Sequence, residues 1–190
     1  EERNPRKARA RKANQPAELE GMDPDRLAKV DLALQKLNIA GIIRKQAAVD
    51  IAMVQGSARI MFEEYTVSVM DLQRTVAPEV NLLSDRWLFQ HLSLTLDRRM
   101  LSVMSRIPLT SEGMSLNLNI PTVLSEEFQV FCDRLQDNGG ARVLVELRPI
   151  DIFADLAEYT RARKVIRDAG FTVIVDGINH LALQFIDPGE

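Results

Sequence analysis

Apolar side chains recur every three to four residues at Leu27, Val30, Leu34 and Leu37, behind an Asp23-Pro24 pair that joins a helix cap to a first-turn proline. The spacing predicts an amphipathic helix that stops at Asn38 and Gly41. Residues 42–54 and 60–69 are instead dense in Ile, Val, Phe, Tyr and Met around the turn sequence Gln55-Gly56-Ser57, which predicts two strands joined as a hairpin. After Pro78 and Ser84-Asp85, the residues Leu88, Leu92, Leu96, Met100 and Met104 fall four apart and predict the longest helix, over 87–104, ended before Pro108. Over 114–120 the alternation is strict. Met114, Leu116, Leu118 and Ile120 face one way and Ser115, Asn117 and Asn119 the other, as in a strand.

Ser125, followed by Glu126 and Glu127, predicts a helix with Phe128, Phe131, Cys132 and Leu135 on one stripe and Asn138-Gly139-Gly140 at its end. A short apolar strand over 143–147 follows, then one helix marked by Ile152, Leu156, Tyr159 and Ile166 and closed by Gly170, then a strand over 171–175. Crossovers of this length cannot be hairpins, so the alternation implies parallel pairing and an α/β fold with its sheet covered on both sides. No strand is followed by a Gly-x-Gly-x-x-Gly turn, a Walker A loop or a Gly-x-Ser-x-Gly elbow, which removes the main support for a dinucleotide fold, a P-loop enzyme or an α/β-hydrolase. Successive strands do end on polar residues, Asn117, Glu146 and Asp176, and in barrels that end carries the chemistry.

Length and composition fit this reading: 190 residues suit one sizeable domain with a tail, and 46% hydrophobic against 27% charged residues describes a folded chain rather than a disordered one. The net charge of −3 is unevenly spread. Residues 1–12 hold six Lys and Arg against Glu1 and Glu2, a surplus of +4 that leaves −7 for the rest. We read 1–22 as a basic linker or tail and 23–190 as the domain; the arm lacks the interleaved aromatics of a nucleic-acid binder and an apolar face for a membrane surface. An acidic body meets a phosphate ligand only through a local pocket or a metal ion. The lone Cys132 excludes an internal disulfide, and no apolar run approaches the roughly 18 residues of a membrane span, so the expected compartment is a reducing cytoplasm. The chain starts at Glu1 without an initiator Met, from which we expect a longer native protein.

On these residues the sequence resembles the EAL domain, the barrel of bacterial cyclic di-GMP phosphodiesterases, from about Leu32 to the C-terminus. Ser-Leu-Asn-Leu-Asn at 115–119 is similar to the family's Ser-Leu-Asn-Leu-Ser strand. VLVELRP at 143–149 resembles its Glu-x-x-Glu strand, and GFTVIVDG at 170–177 its segment ending in an Asp-Asp pair. The resemblance implies a TIM-like (β/α) barrel of EAL type, present here as its first part, because the match stops before the family's catalytic lysine. Carried over by motif, the metal ligands would be Glu63 or Glu64, Asn117, Glu146 and Asp176, and the nucleotide contacts Gln46 and Asn117. Carboxylate-rich ligation of this kind suits Mg²⁺ or Mn²⁺, and two such ions would activate a water against the phosphodiester.

The departures from the family pattern set the functional expectation. Phe62-Glu63-Glu64-Tyr65-Thr66 replaces Glu-Ala-Leu, and no arginine follows at the family's spacing. The second glutamate of Glu-x-x-Glu is Pro149, the second aspartate of the pair is Gly177, and the Phe-Gly-x-Gly loop reads Ile178-Asn179-His180-Leu181. Gln46 stands where the family has Tyr-Gln-Pro-Ile, with Lys45 and Ala47 beside it. A site short of two carboxylates holds divalent ions poorly, so the expectation is a degenerate domain. It would serve as a regulatory, cyclic di-GMP-sensing or protein-binding module, with an upstream signalling domain, another protein or a second copy of the chain as partner. The alternatives are an active metal-dependent phosphodiesterase and a scaffold that binds no nucleotide. Taken singly, Asn117 and Asn119 also suit a strand-end hydrogen-bond pair, Glu146 a salt bridge to Arg142 or Arg148, and Asp176-Gly177 a turn. His91 and His180 share no motif, and the Met-rich stretches read as core.

Overall fold

The computed structural model describes residues 19–50, 59–107, 113–137 and 142–180. The basic arm at 1–12 and the Gln55-Gly56-Ser57 turn lie outside them. Strand β1 (Glu20–Gly21) pairs in parallel with β4 (Val80–Asn81) as a two-stranded sheet. Helix α1 (Pro24–Lys36) starts where Asp23 accepts a hydrogen bond from the Arg26 amide at 2.8 Å, and it buries Leu27, Val30 and Leu34. A 3₁₀ turn, Ile39–Ile42, leads into β2 (Ile43–Asp50), which runs antiparallel to β3 (Arg59–Val67) with a register shift between Ala48 and Val49.

Three predicted elements differ from the structure. The second hairpin strand stops at Val67, because Ser68 caps a new helix, α2 (Val69–Val76), by accepting from the Asp71 amide at 3.2 Å. Val69 and Met70 read as strand residues by composition, but the Ser-x-x-Asp cap decides their conformation. After α3 (Arg86–Met104), capped by Asp85, the strand β5 (Met114–Asn117) ends before the predicted residue 120. Ile120–Val123 forms a short helix, α4, since Pro121 has no amide hydrogen for a ladder and suits a first helical turn. Beyond α5 (Glu126–Asp137) and β6 (Val143–Leu147), the single predicted helix is two, α6 (Pro149–Ala154) and α7 (Leu156–Asp168). Asp155 separates them and caps the second, accepting from the Glu158 amide at 2.8 Å. Strand β7 (Thr172–Val175) is the last described element.

The main sheet has the order β2-β3-β5-β6-β7, antiparallel at its first pair and parallel thereafter. The fold is therefore α/β with a mixed sheet. The described strands make an open sheet, and among them no closed barrel is formed. One sheet face carries Met114, Leu116, Val143, Val145 and Leu147, all buried in a core shared with Leu92, Leu96 and Met100 of α3 and Phe128 and Phe131 of α5. Cys132 sits in this core, and burial pushes its thiol up to about 11, so it is an inert packing residue.

Candidate functional site

Period-two alternation sends neighbouring strand residues to opposite faces, and the cross-strand register then decides which meet. Glu64 lies opposite Ser115, and Asn117 opposite Glu146, so these four polar residues share the face turned away from the apolar core. Asn117 Nδ2 donates to Glu146 Oε2 at 3.1 Å and reaches Glu64 Oε1 at 3.4 Å, while the Ser115 hydroxyl donates to Glu146 Oε1. Asp176 follows β7 at the same end, its amide donating to Leu147 O at 3.0 Å. Gln46 is exposed on β2, paired with Glu64. Glu63 is a different matter. It points to the core face, where the Tyr65 hydroxyl donates to it at 3.0 Å and Lys45 lies 2.7 Å away. Of the two glutamates that sequence left open, Glu64 joins the cluster and Glu63 does not.

Glu146 is 6% exposed. Burial raises its carboxyl above the ordinary carboxylate range, and the charges of Glu64 and Asp176 add to the rise, against the hydrogen bonds from Ser115 and Asn117. Neither Arg142 nor Arg148 pairs with it, contrary to the salt-bridge expectation: Arg142 reaches Met61 O, and Arg148 turns to Asp151, Gln90 and Asn119. A carboxyl raised in the folded state opposes folding once it ionises. Its penalty is absent below the unfolded value of 4.5, grows as pH climbs from there and is complete above the folded value. Glu146→Gln is therefore expected to raise Tm at pH 7 over the wild type, with the difference vanishing by pH 4 in thermal melts. Asn117 can turn its amide to accept from the new Gln donor. A lower Tm at pH 7 would mean the ionised carboxylate is itself a structural asset.

Hard oxygen donors of this set suit Mg²⁺ or Mn²⁺ by type. As arranged they do not make a metal site. Both Glu146 oxygens already accept hydrogen bonds, and Asn117 presents its N–H rather than its oxygen to the carboxylates. Among the described residues, no three His, Cys, Asp or Glu are gathered so as to hold an ion. Two neighbouring positions carry no acid: Pro149 opens α6, and Gly177 holds a left-handed φ of 72°.

A second polar network, which sequence reasoning missed, lies on the helix side of the same strand ends. Asn119, expected beside Asn117, leaves the strand and donates its backbone and side-chain amides to Asp97 of α3 at 2.8 and 2.7 Å. Thr122 adds a third bond at 3.0 Å, and Asn119 Oδ1 accepts from Gln90 at 2.7 Å and from Arg148 at 3.2 Å. Burial pushes the Asp97 carboxyl up to about 6 despite these donors and the Arg148 charge. The only local signal was a lone Asp on the predicted 87–104 helix, beside its apolar stripe.

No family model and no curated protein matches the chain. Among solved structures it is similar to BlrP1 of Klebsiella pneumoniae. The manganese and cyclic di-GMP complex at pH 6 is 15% identical, with a TM-score of 0.46 over 78% of this chain and 43% of that one. The calcium and cyclic di-GMP complex at pH 8.0 is 17% identical, with a TM-score of 0.48 over 76% and 38%. The chain spans less than half the length of these structures.

Proposed function

We propose that this chain is the first part of a degenerate EAL-type (β/α) barrel, a regulatory module of bacterial cyclic di-GMP signalling that binds without hydrolysing. One observation carries the reading. Glu64, Asn117 and Glu146, from three neighbouring parallel strands, form a single hydrogen-bonded cluster at the strand ends, and that cluster satisfies itself rather than an ion. Its motifs are those of the family resemblance, while Pro149 and Gly177 leave out two carboxylates that a hydrolytic site would use. Gln46, Asn117 and Asp176 then stand as nucleotide-facing groups, and Glu146 as the buried acid that positions Asn117. Cyclic di-GMP and a signalling protein are the proposed partners.

The test is calorimetric titration of cyclic di-GMP into the full chain, with and without Mn²⁺, followed by chromatography of the products. Binding without turnover, weakened by Asn117→Ala, is the expected result. Metal-dependent turnover would establish the phosphodiesterase reading instead, and no binding under either condition would leave a protein-interaction scaffold. Adding the missing acids through Pro149→Glu and Gly177→Asp is expected to tighten Mn²⁺ binding by about 10-fold or more, the lower end of what supporting groups around a metal contribute. Glutamate is well tolerated in a first helical turn, and aspartate tolerates the left-handed φ at 177 better than most residues.

A further inference from the structure

Helix α3 borders a cleft that meets the strand-end cluster only at Asn117. Phe89, Ser93, Leu96, Asp97 and Met100 line one wall, and the ends of β3 and β5, with Leu118, line the other, around about 260 Å³. That is below the roughly 300–1,000 Å³ of pockets for drug-sized ligands. The walls are largely apolar, with one acid set among them.

Asp97 is held rigidly and by one oxygen. Oδ2 accepts from the Asn119 amide at 2.8 Å, from Asn119 Nδ2 at 2.7 Å and from Thr122 Oγ1 at 3.0 Å. Among the described residues nothing donates to Oδ1. Nor is that oxygen sealed in, since the one buried side-chain oxygen or nitrogen without a partner among those residues is Asp31 Oδ1. Asp97 stands on the pocket wall, with this second oxygen left unsealed. The other charged residue there, Arg148, is committed to Asp151 at 2.9 Å, Gln90 at 3.0 Å and Asn119 at 3.2 Å. The unmatched charge of the pocket is therefore negative, and it sits beside aromatic and aliphatic surface.

We propose that this pocket binds a small organic cation, a primary ammonium on a short apolar body, with the ammonium on Asp97 Oδ1 and the body against Leu96 and Met100. An ammonium supplies the donor that Oδ1 lacks and offsets the desolvated carboxylate, which a neutral molecule of the same shape does not. The pocket shares Asn117 with the strand-end cluster, but its charged anchor, Asp97, lies outside that cluster.

Benzylamine, charged at pH 7.5, and its neutral counterpart benzyl alcohol are the probes, titrated into the full chain and followed by amide chemical shifts in NMR spectra. Expected are saturable shifts centred on Asn119 and Thr122 with benzylamine, and affinity at least tenfold weaker for benzyl alcohol. Asp97→Asn, which keeps the shape but removes the charge, is expected to weaken benzylamine at least tenfold. Val69→Phe, which takes up space in the pocket without touching the Asp97 network, is expected to weaken both probes and keeps the test valid if the Asp97 variant fails to fold. Equal affinity for the two probes, unchanged binding in the Val69 variant, or no saturable shift at these residues would overturn the proposal.

Discussion

Phe128→Ala is expected to destabilise the protein by about 3–5 kcal/mol, the range for truncating a fully buried aromatic side chain. Phe128 is 0% exposed and lies 6.1 Å from the Phe131 ring and 6.2 Å from the Phe171 ring, the latter at 88°. Phe131 and Phe171 are themselves 6.2 Å apart, so three rings close a triangle that joins α5 to the start of β7. Truncation removes two ring contacts, one tilted and one edge-on, along with the buried area. Urea denaturation should show a lower midpoint with an unchanged slope, since the denatured state is untouched. A loss under about 1 kcal/mol would mean that α5 is held by something other than this ring cluster.

The second large effect falls where the fold positions the site. Gly113, at the entrance to β5, has a φ of 93°, and a Cβ there would stand 2.7 Å from Arg142 O and 3.0 Å from Arg142 Cβ. That carbonyl accepts the first bond of the strand, from the Met114 amide at 2.9 Å, while the Gly113 carbonyl accepts from the Glu63 amide at 3.1 Å. Gly113→Ala combines about 1–2 kcal/mol of left-handed strain with about 1–3 kcal/mol of overpacking against rigid backbone. Gly170→Ala is the matched control: its φ is 79°, but nothing lies within 4 Å of the added carbon, so only the strain term of about 1–2 kcal/mol applies. Thermal melts of the two variants should separate them clearly. In the Gly113 variant the pairing of Asn117 with Glu146 should loosen too, visible as faster hydrogen exchange at the Leu118 amide, which donates to Glu146 O at 3.2 Å.

Much of the architecture is legible in local periodicity. The α1, α3 and α5 stripes, the two antiparallel strands and the β5, β6 and β7 cores follow from spacing, because one buried face imposes a period of 3.6 or 2 on the chain. Misread elements are those where a single capping or imino residue outvotes composition: Ser68 against an apolar strand, Pro121 against a clean alternation, Asp155 against a continuous helix. In each the deciding group acts through one backbone hydrogen bond, made or missing, too brief a signal to register in a window of ten residues.

Sequence alone determined the α/β class, the parallel run of β5, β6 and β7 and the main helices between them, and the place of Asn117 and Glu146 on those strands. It did not choose between Glu63 and Glu64. Alternation sends them to opposite sides, but only pairing with β5 decides which side carries Ser115 and Asn117 and which is core. Asn119 meeting Asp97 across 22 residues, and Arg148 meeting Gln90 across 58, likewise came from tertiary structure alone. A periodic pattern records how each segment faces water. It holds no information about which distant polar group will satisfy a buried one, because that choice is made by packing once the segments meet.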